Sequence, residues 1–166
     1  MRCIADTAPR PIVGLLNPPP YSLRGFRTSD VPAISEIVAD ALHEHYDSSL
    51  YLSLSEQWPD GFLVAVDVAN RPVGFLLGVS QIAGEARVLM FAVDRRHRSG
   101  GVGSRLMDTF LERCRVRGLH RVTLEVRVSN ATAIRFYSRY QFSVTDLLRG
   151  YYSDGENGYQ MSRDVG

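Results

Sequence analysis

Lysine is missing from this chain, and all 19 basic residues are arginine. A Walker-type phosphate loop, which ends in Gly-Lys-Ser/Thr, is therefore excluded. Cysteine is scarce as well. Cys3 and Cys114 are too few for a disulfide framework, and Cys114 falls on the apolar face of an expected helix, so free thiols in a reducing compartment are expected. No stretch approaches the roughly 20 apolar residues that a membrane span requires. The proline-rich, charge-poor start fits no secretion signal. A cytoplasmic protein with no membrane attachment is the expectation. A formal net charge of +1 excludes a broad nucleic-acid-binding surface. Neither the cysteines nor the four histidines have metal-ligand spacing, apart from His43 and His45, which on a helix would point to different faces; no metal is expected.

What is present is concentrated between Val93 and Met107, V-D-R-R-H-R-S-G-G-V-G-S-R-L-M. An apolar run, Val88 to Val93, reads as a strand ending in Asp94. A basic, glycine-rich turn follows, and then a helix with Val102, Leu106, Phe110 and Cys114 on one face. The N–H groups that open a helix lack intrahelical partners and carry the positive end of its dipole. Gly100, Gly101 and Gly103 remove side chains that would hold a phosphate off the backbone, while Arg95, Arg96 and Arg98 add positive field. The stretch reads as a site for a phosphate or pyrophosphate. A dinucleotide fingerprint would need glycine or alanine where Leu106 stands.

At 166 residues, with 45% apolar and 22% charged residues, the chain is long enough for one domain with a substantial core. Residues 1–22, with Pro18-Pro19-Pro20, read as a loosely ordered extension, and residues 23–166 as the domain. Leu23 to Arg27 reads as a strand. Thr28-Ser29-Asp30 and Pro32 open a helix with Ile34, Ile37, Val38, Ala41 and Leu42 on one stripe. Residues 43–60 read as a second short helix or lid. Phe62–Val68 and Val73–Val79 flank the turn Asn70-Arg71-Pro72 as a hairpin, and Val88–Val93 continues it. Arg121–Val128 alternates as a strand, and Ser129-Asn130 caps a further helix carrying Ala133, Ile134, Phe136, Tyr137 and Tyr140. Phe142–Leu148 and Tyr159–Ser162 close the chain. The order β-α-α-β-β-β-α-β-α-β-β predicts an α+β domain around one mixed sheet, without internal repeats.

Four motifs carry a resemblance to a known family. Arg98-Ser99-Gly100-Gly101-Val102-Gly103 resembles the pyrophosphate loop [QR]-x-x-G-x-[GA] of the GNAT acetyltransferase superfamily. L-E-V-R-V-S-N-A-T-A-I-R-F-Y, Leu124 to Tyr137, resembles the L-x-V-R-x-S-N-x-x-A-x-x-[LF]-Y signature of N-terminal acetyltransferases of the RimI and NatA catalytic-subunit types. Leu42-His43-Glu44-His45-Tyr46 resembles the L-P-E-N-Y of the NatA-like branch, archaeal members included, with histidine at two of its five positions. Tyr151 to Asp164 resembles its Y-Y-x-D-G-E-D-A-Y-x-M-x-R-D. The four motifs stand in the family's order, and the resemblance covers the chain from about residue 23 to 164.

The resemblance implies the GNAT fold: a mixed sheet of about seven strands, splayed between its middle strands, with about four flanking helices. It implies acetyl-coenzyme A as cosubstrate. The pantetheine arm would lie along Phe91, Ala92 and Val93, and the pyrophosphate on the backbone of Arg98, Ser99, Gly100, Gly101, Val102, Gly103 and Ser104, with Ala133 close by. Two roles are open to Asn130, a contact to the cosubstrate and a simple helix cap. Tyr137 matches the tyrosine beside the thioester sulfur and is otherwise a core aromatic. Glu125 and Glu44 match carboxylates that bind or deprotonate the acceptor amine, and each is otherwise a surface charge. Leu42, Tyr46, Tyr151 and Tyr152 would wall the acceptor. His43 and His45 are read as solvent-exposed. The implied partners are protein N-termini, including ribosomal or nascent chains, and the implied assembly is a monomer or homodimer. The activity expected is acetyl transfer to an N-terminal α-amine by direct attack. Two other readings stand beside it: a GNAT enzyme acting on lysine side chains or a small amine, and a non-catalytic acyl-coenzyme-A-binding subunit.

Overall fold

The computed structural model describes residues 20–166. Seven strands form one sheet: β1 (Tyr21–Gly25), β2 (Phe62–Asp67), β3 (Pro72–Val79), β4 (Glu85–Val93), β5 (Arg121–Arg127), β6 (Ser143–Leu148) and β7 (Gly158–Asp164). Their spatial order is β1-β2-β3-β4-β5-β7-β6. Four helices, α1 (Val31–Leu42), α2 (Ser48–Gln57), α3 (Val102–Val116) and α4 (Ala131–Arg139), cover the two faces. The α+β mixed sheet expected from the sequence is the one observed.

The edges of the elements move in instructive ways. β1 begins at Tyr21, inside the expected extension, because Tyr21 is buried against α3 and pairs with Asp67. Residues 1–19 of that extension, with Cys3, lie outside the described residues. Residues 28–30 form a single 3-10 turn rather than the first turn of α1. Asp30, buried beside Arg24, accepts 2.7 and 2.8 Å hydrogen bonds from that guanidinium and another from the Arg27 amide. Residues 43–60 contain α2, opened by Asp47 as its N-cap. β2 and β3 are buried along nearly their whole length, since helices cover both faces; hence their continuous apolar runs. α3 presses Phe110 so close to the sheet that a Cβ on Gly78 would collide with its ring.

The sheet has one irregularity that creates a cleft. β4 and β5 pair in parallel only from Glu85↔Arg121 to Val88↔Leu124. Beyond that point β4 stays with β3 and β5 stays with β7, so the sheet opens into a V. At the fork β4 carries a bulge, with Met90 opposite Leu77 and Val88 opposite Gly78, leaving Leu89 extra. A bulge reverses which face successive side chains take. Ala86 and Val88 accordingly pack with α3 and α4, while Met90 and Ala92 pack with α1 and α2. The free edge of β4 from Leu89 to Val93 becomes one wall of the V.

Candidate active site

Two cavities meet in the V, of about 660 and 840 Å³. Leu42, Phe91, Asn130, Ala133 and Tyr137 border both, so these residues mark the junction.

The smaller cavity runs toward the glycine-rich turn. Phe91, Ala92, Val93, Arg98, Ser99, Gly101, Val102, Gly103 and Ser104 line it. Gly100 does not; its carbonyl accepts from the Tyr21 hydroxyl at 3.4 Å behind the loop. α3 makes its first backbone bond from Arg105 to the Gly101 carbonyl, which leaves the amides of Val102, Gly103 and Ser104 without partners in the helix. Gly101 has φ +81°, a conformation that side chains disfavour, and directs the chain into the helix. A free strand edge leading to unpartnered amides fits a pantetheine arm followed by a pyrophosphate.

The arginines divide differently from the expectation. Arg98 donates through Nε to the Val93 carbonyl at 3.0 Å, tying the turn to the end of β4. Arg96 pairs with Asp94 at 2.7 Å and Arg95 lies 3.7 Å from Asp40, so both are engaged toward α1 rather than the cofactor cavity. The Asp94 carboxylate also accepts from the Arg96 amide, and these contacts with Arg96 hold it down at about 2. A carboxyl lowered in the folded state stabilises the fold above its unfolded value and loses that contribution as pH falls through the folded one. Asp94→Asn is therefore expected to lower Tm at pH 7 and to lower it much less near pH 2, as thermal melts at the two pH values would show. Equal losses at both would place the effect in packing instead. His97, Thr132 and Arg139 also border this cavity without standing at a specified motif position, and Phe136, at the [LF] position of the Leu124–Tyr137 signature, borders it too.

The larger cavity lies on the α1–α2 side. Leu42, Glu44, Tyr46, Glu125, Tyr151 and Tyr152, which come from three separate motifs, converge on it. α1 ends at His43 with φ +55°. That conformation closes the helix and brings Glu44 and Tyr46 to the cavity; His43, exposed as expected, also borders its rim, and His45 is exposed outside it. Proline, with φ fixed near −65°, could not stand there. Glu125 alternates with Leu124 and Val126, which are buried in the core, so its carboxylate faces the cavity. It accepts from Nε of Arg87 at 2.9 Å, and Nη2 of the same arginine donates to the Tyr151 hydroxyl at 3.0 Å. Arg87 precedes the bulge and shares the face of Glu125. Nothing in its local sequence announces it, because the contact depends on the register of β4 against β5.

Tyr137 stands at the junction. Phe136 and Phe142 meet its ring edge-on at 5.6 and 5.8 Å, and Phe91 lies 6.4 Å away. Burial pushes its phenol well above the ordinary tyrosine value, so it keeps its proton through the neutral range. Tyr152 is pushed up to about 12, chiefly by burial. Asn130 caps α4, its Oδ1 accepting from the Ala133 amide at 3.1 Å, while also bordering both cavities; its two readings are compatible. Among the described residues no group of three His, Cys, Asp or Glu is placed to hold a metal, and no helix is long and apolar enough to cross a membrane.

Comparison with known proteins adds the family. The profile of the acetyltransferase (GNAT) family matches residues 31–142. An uncharacterized N-acetyltransferase of Methanocaldococcus jannaschii is 36% identical over 141 residues, covering 84% of this chain and 88% of that one. An N-alpha-acetyltransferase of Sulfurisphaera tokodaii is 31% identical over 154 residues, covering 86% and 92%. The crystal structure of Ard1 from Thermoplasma volcanium superposes with a TM-score of 0.85 at 44% identity, covering 89% of this chain and 99% of that one. With a forked seven-stranded sheet, a glycine-rich helix start at one mouth of the fork and this degree of relatedness, the chain belongs to the acetyltransferase (GNAT) family.

Proposed function

We propose that the protein transfers the acetyl group of acetyl-coenzyme A to the N-terminal α-amine of protein chains, by direct attack within a ternary complex. The observation that carries the reading is the meeting of the two cavities at Tyr137, one suited to a phosphorylated carrier and the other lined by Glu44 and Glu125. The relatives named N-alpha-acetyltransferase support it. Among the described residues the one cysteine is Cys114, buried in α3 with its thiol pushed up to about 12 by burial, which disfavours a route through an acyl-enzyme on that residue.

The thioester of acetyl-coenzyme A supplies the activated acyl carbon. The chain's residues do the rest. The backbone of Gly101–Ser104 holds the pyrophosphate, and the open edge of β4 holds the arm. Glu44 attracts the α-ammonium, and Glu125, fixed by Arg87, accepts its proton through water. Tyr137 donates to the departing sulfur as charge develops there. An α-amine has a pKa near 7.7–8.0 against 10.4 for a lysine side chain, so a weak carboxylate base favours N-termini by about 2.5 units. The acceptors are cytoplasmic protein N-termini, including nascent or ribosomal chains, and the enzyme works as a monomer or homodimer.

Acetyl transfer from labelled acetyl-coenzyme A to peptides tests this. The panel varies the first residue (Ser, Ala, Thr, Gly, Met) and includes N-terminally blocked, lysine-containing controls. Turnover only on free N-termini is expected. Turnover on the blocked lysine peptides, or on none, overturns the reading.

A further inference from the structure

The motif Asp154-Gly155-Glu156-Asn157 touches no part of the junction, yet its polar atoms are densely engaged. Glu156 accepts from Nη1 of Arg127 at 2.7 Å and from the Ser129 amide at 3.1 Å, and its carboxylate also meets the Ser129 hydroxyl. Asp154 accepts from the same Arg127 nitrogen at 2.8 Å. The Arg127 guanidinium lies 4.1 Å from the centre of the Tyr152 ring, within cation–π range. Tyr151 in turn packs edge-on against Tyr152 at 5.1 Å.

These contacts have a direction. The loop between β6 and β7 supplies Tyr151 and Tyr152, and it turns twice at glycines with positive φ, Gly150 and Gly155. Within the loop, the Gly155 amide donates to Tyr152 and the Tyr152 amide to Glu156, so the turn closes on itself. The Glu156 carboxylate ties it to the body of the domain, gripping the end of β5 and the residue before the α4 cap. Alongside it stand Asp154 on the same Arg127, a backbone bond from Val128 to Asn157 and, at the cavity, the Arg87 bond to the Tyr151 hydroxyl. Arg127 extends that grip to the Tyr152 ring. Arg127 and Glu156 are partly buried, where an ion pair with several partners is less screened than an exposed one.

We propose that Arg127 and Glu156 form a strap that sets the position of the Tyr151–Tyr152 wall over the acceptor cavity, making both positioning residues for peptide binding. The proposal rests on the reading of that cavity as the acceptor site. A strap at this place acts on the peptide and not on the carrier, whose cavity lies on the other side of the junction.

Steady-state kinetics with one free-N-terminus peptide and acetyl-coenzyme A, on the full chain, tests it. Glu156→Ala and Arg127→Gln are each expected to raise the peptide KM about tenfold, with the KM for acetyl-coenzyme A within about twofold of the parent. Because the two act as one unit, the double variant is expected to be no worse than the weaker single one. Arg127→Gln reports independently should Glu156→Ala fail to fold. An unchanged peptide KM in the variants, a parallel rise in the KM for acetyl-coenzyme A, or additive effects in the double variant overturns the strap. If the parent enzyme itself turns over no peptide, the acceptor-site reading falls and the strap with it; parent turnover with unaffected variants removes the strap alone.

Discussion

Tyr137→Phe is expected to lower kcat by on the order of 10²-fold while leaving the KM for acetyl-coenzyme A within about twofold, the pattern of a group that acts in the transition state. The substitution removes one oxygen and keeps the ring. The ring's contacts with Phe91, Phe136 and Phe142 therefore persist, and so does the packing that holds α4 against the sheet. What is lost is a proton donor at the junction of the two cavities. Burial raises the phenol's pKa, so it is present as donor at any pH where the protein folds and the amine reacts. A thiolate leaving into an apolar site without that donor meets the full cost of developing charge in a low dielectric. Single-turnover kinetics with preformed complex isolates the step, and thermal melts confirm intact packing. A rate within about threefold of the parent would return Tyr137 to the role of core aromatic, with departure of the sulfur assisted elsewhere.

Whether a feature was legible in the sequence depends on whether it is local. The helix start at Gly101–Ser104 is local: strand, turn glycines and amphipathic stripe lie close together along the chain, and each constrains the next. The seven strands and their order along the chain were legible for the same reason. The fork was not. It depends on Leu89 being extra against β3, and a bulged strand keeps its apolar composition while changing the face each side chain takes. Arg87 shows the consequence: it reaches Glu125 only because the two strands pair up to Val88↔Leu124 and face the same way. Arg95 and Arg96 fail in the opposite sense. Counted with Arg98 they look like one positive field, but Asp94 and Asp40, also close at hand in sequence or space, draw them to the far side of the turn. At His43 the sequence departs from the family's proline, and the left-handed backbone there gives the departure a physical meaning.

Glu125→Gln is expected to lower kcat by roughly 10²-fold, the lower end of what a positioned proton acceptor contributes, whereas Glu44→Gln is expected to act on the peptide KM, raising it about tenfold. The difference comes from where the two carboxylates are anchored. Glu125 sits on β5 at the fork, with its side chain only 12% exposed and fixed by Arg87, on the rigid part of the sheet. A carboxylate so placed can accept a proton at one defined position. Glu44 comes just after the left-handed turn that ends α1, on a loop whose neighbours are exposed, and suits attraction of an incoming ammonium rather than precise proton transfer. The pH profile separates them further. With Glu125 in place the ammonium is deprotonated inside the site, so kcat/KM for peptide should change little as pH passes through the α-amine value near 7.7–8.0. Without it the amine must lose its proton to solvent before entering, so the depressed rate should recover in part as pH rises and neutral amine becomes abundant. Glu44→Gln should shift the whole curve downward without changing its shape. Rates measured from pH 6 to 9.5 on one peptide decide the matter, and an exchange of the two signatures would make Glu44 the proton acceptor and Glu125 the binding charge.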